Sequence, residues 1–527
     1  MIRSNIFYII LISFYAFLVN WVSGNVGVMP IDTFSFMDTG NSILYGKYPI
    51  RDFWIFSGFL LDYIQALFFI LFGKNWAAYV SHASFFNIII SLSAYITFTN
   101  LKIERIYSFF YALSVATLCY PVAGTPFAYQ HSFILSLISI FITCLAIKGE
   151  KDILWFALPT PMLLSFLSQQ TPSSYINILL ILTIFYHFFS ERKYVQIKNF
   201  IFGALTIFIL FILFLIITGT SIKDFIIQYI LFPLSIGSGR ILNEQSAYLS
   251  FSDQLNIKRL IGDFKFIHIF LVALIFITSK QIFAKTLKLK KYLLKINILL
   301  VVSTILFIFH QLITANQIFI FCLIPVIAAY VHMNLNFLEN NKIYYKFFII
   351  LLIIFCTIKY HYRFNVERKF MDLQSVDLSL AVPANELSPK LKYLKWITPF
   401  SYSQNPREEL KFLNKVYMHL KEDRRNKLII THYHFLSLLL KEDINLLNRW
   451  YLRHHTHPQV GNKYFKYYIN LVNKNLKKNN IEVVYLISST ENEMKFEDFK
   501  AYFTSKCFEN NNVIENRFYF YEIKDCK

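Results

Sequence analysis

The chain is short of charge. Of its 527 residues, 16% are Asp, Glu, Lys or Arg, where a soluble globular protein carries roughly a quarter. A string of soluble domains is thereby excluded. Glycine and proline are equally sparse, with 14 of each, which excludes collagen-like and Pro- or Gly-rich low-complexity architectures. Six cysteines are too few for a disulfide-stapled scaffold in a chain of this length. Acids are the scarcer sign, 32 against 52 bases, for a net charge of +20. No internal repeat is visible.

What fills the space is apolar. Hydrophobic residues make up 56% and aromatic residues 18% of the chain. A helix needs about 20 apolar residues to cross a bilayer, and the runs 5–23, 79–99, 106–121, 132–147, 153–168, 174–190, 199–218, 266–282, 296–312, 317–333 and 343–359 are read as spans. A further run, 55–72, places Asp62 and Gln65 on one helical face, and is read as an amphipathic helix lying in the interface. The first run is read as a retained signal anchor, since Val22-Ser23-Gly24 makes a weak cleavage site.

The positive charge then has an explanation. Cytoplasmic loops concentrate Lys and Arg. With the N-terminus inside, the inner segments hold 16 basic residues and five acidic ones, and the much longer outer segments of 1–360 hold nine and eight. Treating 55–72 as another span would invert every later loop. The charge thus follows topology and calls for no nucleic acid. It also puts residues 361–527 outside.

That last part reads as water-soluble α/β. Asn405-Pro406 opens a helix with acids in its first turn, and 427–431 (KLIIT), 481–487 (IEVVYLI) and 517–523 (RFYFYEI) read as strands. Only Cys507 and Cys526 fall outside spans, where oxidation is available, and are expected to pair. His454-His455-Thr456-His457 resembles a metal tract but lacks a nearby Cys or acidic ligand, and is read as a solvated loop.

Polar residues at membrane depth or at its mouth are costly and so are candidates for function. They gather at the outer ends of the spans: Asp32, Asp38, Arg51 and Asp52 in the first external segment (24–78), and His82, Gln130 and His131 beyond it. Gln169, Gln170, His268, His310, Gln311, Asn316 and Gln317 follow, with Arg240 in the second long external segment (219–264). An outward-facing polar cavity is the expectation. Asp32 stands apart, because it soon follows a span, beside Pro30, with no adjacent Lys or Arg.

The stretch PIDTFSFMDTGNSILYGKYPIRDFWIFSGFLLDYIQALFFILFGKNWAAYVSHASFFN resembles the first external loop of GT-C superfamily glycosyltransferases. The nearest groups are the protein O-mannosyltransferases and the lipid A aminoarabinose transferases. Asp32, the connection Gly46 to Pro49, and Leu71-Phe72-Gly73 match that pattern. Thr33 stands where these families carry Glu, and their Lys-Pro-Pro motif is missing, with Arg51 the nearest cation. No Asp-x-Asp pair occurs in this loop.

The resemblance implies a multi-span GT-C-like module over 1–360 and a periplasmic α/β domain over 361–527, in a bacterial cytoplasmic membrane. It implies transfer of a sugar from a polyprenyl phosphate to a glycan, lipid or protein hydroxyl, with inversion. Asp32 would be the general base. Arg51, Arg240 and His131 would meet the lipid phosphate, Gln169 and Gln170 the sugar hydroxyls, and Asp38 and Asp52 complete the substrate-binding set. No cofactor is called for, and use of a divalent metal stays open. The alternatives are a flippase or transporter of lipid-linked sugars, or a surface-polysaccharide polymerase. A transporter should break its spans with Gly and Pro in matching halves, but only Pro159, Pro161 and Pro325 are scattered through these.

Overall fold

A computed structural model describes residues 2–149, 151–241, 256–283, 291–314, 319–337, 343–400, 402–452, 456–490, 494–504, 506–515 and 517–525. Eight helices are long and apolar enough to cross a membrane: Asn5–Gly24, Trp76–Asn100, Ala128–Gly149, Gln170–Glu191, Tyr194–Thr218, Ile257–Phe283, Lys291–Ile313 and Ile343–Met371. This is a helical membrane protein. The other three expected spans are shorter helices, Arg105–Leu118, Asp152–Ser168 and Leu323–Phe337. At about 1.5 Å per residue they reach about 21–26 Å, less than the roughly 30 Å hydrocarbon core.

Small and polar residues let the helices approach closely, as association within lipid requires. Gly24 and Gly124 meet so tightly that a Cβ on Gly24 would lie 2.5 Å from the Gly124 carbonyl oxygen. Asn20 Nδ2 donates to Ser84 Oγ at 3.0 Å, and Asn87 Nδ2 reaches the carbonyls of Ala16 and Ala116 at 2.9 Å each. These contacts fix the first helix on Trp76–Asn100.

The expected interfacial helix runs Phe59–Phe72 and stops at Gly73, whose φ of 83° suits a residue without a Cβ. Its polar face is turned to protein and not to water. Asp62 and Gln65 are fully buried, while Leu67, Ile70, Leu71 and Phe72 are exposed. The polar stripe faces protein because partners wait for it there, and the apolar stripe is left to lipid.

Beyond the last long helix, the chain forms two short antiparallel strands, β1 (Val382–Pro383) and β2 (Lys395–Trp396), then a four-stranded sheet. That sheet comprises β3 (Lys427–Thr431), β4 (Val483–Ile487), β5 (Lys506–Glu515) and β6 (Phe518–Asp525), in the order β3-β4-β6-β5. The β3–β4 pair is parallel and both strands are buried throughout, as uninterrupted apolar strands covered on both faces should be. Helices Pro406–Glu422 and Phe465–Lys478 supply cover.

The sheet does not stand off from the membrane helices. Ile429, Tyr485 and Ile487 share one core with Phe34, Phe36, Met37 and Trp76 of the first external segment. Leu428, Ile430, Val484 and Leu486 face the other way, onto Trp54 and Phe232. The backbone joins in as well: Gly27 N donates to Lys395 O, Lys395 N to Asn25 O, and Trp54 N to Leu447 O, at 2.8–2.9 Å. The first external segment and the C-terminal sheet pack as one body.

Candidate functional site

Asp32 sits in a one-turn helix, Pro30–Thr33, started by the fixed φ of Pro30. Its backbone is held from both sides. Trp450 Nε1 donates to Ile31 O at 2.9 Å, and Tyr79 Oη to Thr33 O at 2.7 Å. The carboxyl is half-buried and forms no hydrogen bond or ion pair among the described residues. Burial pushes it up to about 6, with the His432 charge pulling it down and Asp372 pushing it up. A carboxylate so poised is ionised at neutral pH and still basic enough to take a proton.

Asp372 and His432 are the residues that sequence reasoning missed. Asp372 follows the last long helix. His432 comes directly after Thr431, at the carboxyl end of the parallel strand β3. That position was the available signal, since open α/β sheets place sites at the carboxyl ends of their strands. Its neighbour Tyr433 is anchored through Oη to Glu409 Oε1 at 2.7 Å. Glu409 also accepts from Trp396 Nε1 at 3.1 Å and Thr398 Oγ1 at 2.9 Å. His434 is fully buried with neither ring nitrogen hydrogen-bonded among the described residues, and burial, then the charges of His432 and Arg449, keep it neutral.

The other candidates of the first external segment hold the C-terminal sheet in place. Asp38 Oδ1 accepts from Ser437 N at 3.1 Å and Ser437 Oγ at 2.5 Å. Its carboxyl is raised to about 7 by burial, against those hydrogen bonds. Asp52 pairs with Lys478 at 3.0 Å and accepts from Arg51 Nε at 2.7 Å. Burial would raise the Asp52 carboxyl, but the hydrogen bonds from Arg51, Tyr48 and Lys478 outweigh it and hold it below its ordinary value. Asp62 forms a fully buried ion pair with Arg449, which also donates to Ser57 O.

Arg51 is partly exposed. Its Nη1 caps the Tyr194–Thr218 helix at the Thr218 carbonyl, 2.9 Å away, and its guanidinium stacks 4.6 Å from the Tyr48 ring centroid. A cation at a helix C-terminus is favourable in itself. Gln170 Nε2 bridges Phe56 O at 2.7 Å and Tyr229 O at 2.6 Å, tying the two external segments together. Gln169 keeps a buried Oε1 with no hydrogen-bond partner among the described residues. Arg240 is in helix Phe232–Ile241, and its side chain lies outside the described residues.

His131 belongs to a different assembly. His82 Nδ1 bonds Gln65 Oε1 at 3.0 Å, His82 Nε2 bonds His131 Nε2 at 2.9 Å, and His131 Nδ1 bonds Tyr120 Oη at 2.9 Å. All four side chains are fully buried, so these residues cement helices where a wet cavity was expected. His268 is bound to Leu260 O at 2.8 Å, and Gln311 Oε1 accepts from Phe319 N at 2.9 Å. Gln130 and His310 are buried with no side-chain hydrogen bond among the described residues, and Asn316 and Gln317 lie outside the described residues.

No protein-family model matches this chain, and no curated protein matches it. Among the described residues, no three His, Cys, Asp or Glu converge as metal ligands would. The expected solvated histidine tract is corrected where it can be seen: Thr456 and His457 are buried, His457 Nε2 bonding Tyr502 Oη at 3.0 Å, because that segment packs under the sheet's helices. His454 and His455 lie outside the described residues. Cys507 is disulfide-bonded, and Cys526 lies outside the described residues.

Proposed function

We propose that this protein is a GT-C-like membrane glycosyltransferase, taking a sugar from a polyprenyl phosphate to an acceptor hydroxyl. The observation that carries the reading is Asp32. It is a half-buried carboxyl without a hydrogen-bond partner among the described residues, raised to about 6, in the segment that resembles the first loop of that superfamily. Asp32 accepts the proton of the acceptor O–H as that oxygen bonds to the anomeric carbon. The bond from that carbon to the phosphate breaks on the opposite side, and the lipid phosphate leaves with the electron pair, giving inversion. Arg51 and Arg240 are the proposed phosphate partners. His131 is withdrawn from that role, because both its ring nitrogens are already engaged.

In this reading the three shorter helices complete an eleven-segment bundle in a bacterial cytoplasmic membrane. The Asp32 end and the C-terminal sheet face the periplasm. The test is transfer of labelled sugar from a polyprenyl phosphate in proteoliposomes. Asp32→Asn is expected to lose about 10²- to 10⁴-fold in rate, the usual weight of a general base. A folded Asp32→Asn variant that transfers normally overturns the assignment. Labelled lipid crossing the bilayer with no transfer favours a flippase.

A further inference from the structure

The end of the bundle opposite Asp32 carries a groove that the proposed chemistry leaves unused. It lies between helices Gln170–Glu191 and Lys291–Ile313 and encloses about 500 Å³. Leu179, Leu182, Tyr186, Leu294 and Ile298 line it, and Leu182, Tyr186 and Ile298 are exposed. In a bundle within lipid, that exposure faces hydrocarbon.

The groove ends in cations. Lys295 Nζ donates to Ser190 Oγ at 2.9 Å and to Glu191 Oε1 at 2.8 Å, and stands 3.3 Å from His187 Nδ1. It is thereby fixed at the groove's end with its charge balanced by Glu191. Lys291, one turn away, is exposed and has no ion-pair partner among the described residues. Two ammonium groups against one carboxylate leave the end positive, and the apolar wall runs from there toward the bilayer centre. An acyl chain along the wall with a phosphate at the end matches both features. A headgroup carrying its own cation would gain less, because that cation meets Lys291.

We propose that this groove binds an anionic phospholipid, the acyl chain lying against Leu182, Tyr186 and Ile298 and the phosphate meeting Lys291 and Lys295. A surface lysine attracts anionic lipid with a weight of roughly fivefold. The test is native mass spectrometry of the full-length protein, delipidated and titrated with phosphatidylglycerol or phosphatidylcholine. Wild type is expected to retain phosphatidylglycerol at least about fivefold better. Lys291→Gln, which leaves the Lys295–Glu191 pair in place, is expected to lower that preference by about fivefold. Leu182→Trp, which fills the groove from an exposed position, is expected to reduce retention of both lipids. Equal retention of the two lipids by wild type overturns the proposal. So does a preference that survives Lys291→Gln unchanged, or retention of both lipids that survives Leu182→Trp unchanged.

Discussion

Replacing Arg449 with Met tests how the C-terminal sheet is held to the membrane helices. Arg449 and Asp62 form a fully buried ion pair between residues 387 positions apart, and Arg449 also serves the Ser57 carbonyl. Thr39 Oγ1 donates to the other Asp62 oxygen at 2.6 Å. Removing one member of a buried pair costs about 3–5 kcal/mol, because the remaining charge is left uncompensated. At 1.4 kcal/mol per factor of ten, the undocked population should rise about 140- to 3,700-fold.

Limited proteolysis of purified protein reads that population when opening is fast relative to cleavage. The double variant Asp62→Asn/Arg449→Met should recover most of the loss, since no charge is stranded. The deficit should also depend on pH. Burial holds Asp62 at about 6 with the Arg449 charge pulling it down. Without Arg449 the carboxyl protonates at higher pH, so the variant should be less impaired at pH 5.5 than at pH 8. Digestion of Arg449→Met at the wild-type rate, or a deficit equal at both pH values, would refute this account of the docking.

The remaining expectations are narrower. The pH–rate profile of transfer should show an acidic limb near 6 from Asp32, and His432→Gln should move it upward, because the histidine's positive charge lowers the Asp32 carboxyl; an unmoved limb separates the two residues. Burial raises Asp38 to about 7 from an ordinary 3.8, so the folded state keeps a proton that the unfolded chain releases, and stability should fall as pH rises from about 4 through 7. Asp38→Asn should flatten that slope in thermal unfolding. Trp54→Ala should cost about 3–5 kcal/mol, seen as a lower unfolding midpoint, since Trp54 is fully buried with its ring 5.2 Å from Phe232 and 5.3 Å from Tyr468. Cysteines placed in 101–105 and 280–295 should label from the inside only, and labelling from outside would invert the proposed topology.

Much of the fold could be read from residues in order along the chain. Gly73 marked the end of helix Phe59–Phe72, Pro406 the start of the next amphipathic helix, and KLIIT a strand, because each signal is local: a backbone conformation, a missing amide, a run of apolar side chains. The helix Arg105–Leu118 stops three residues before the end of the apolar run 106–121. Apolar composition does not report where a helix ends once protein, in place of lipid, surrounds the next residues, and 119–126 are buried.

The site was legible only in part. Asp32 could be singled out from its isolation among uncharged neighbours. What becomes of Asp38, Asp52 and Asp62 was not legible, because it depends on who stands opposite: Ser437, Lys478 and Arg449, all of the C-terminal region. His432 could not be brought to Asp32 by any pattern of spacing, for the two are 400 positions apart in the chain.

The sequence by itself determined that this is a helical membrane protein with a small sheet near its C-terminus, because hydrophobic periods and strand runs are short-range properties. The tertiary structure decided which carboxyl stays free. Desolvation and pairing depend on neighbours brought together by folding, and three of the acidic candidates spend their charge or hydrogen bonds on docking the sheet. Asp32 alone among the acidic candidates keeps a half-buried carboxyl with no hydrogen bond or ion pair among the described residues.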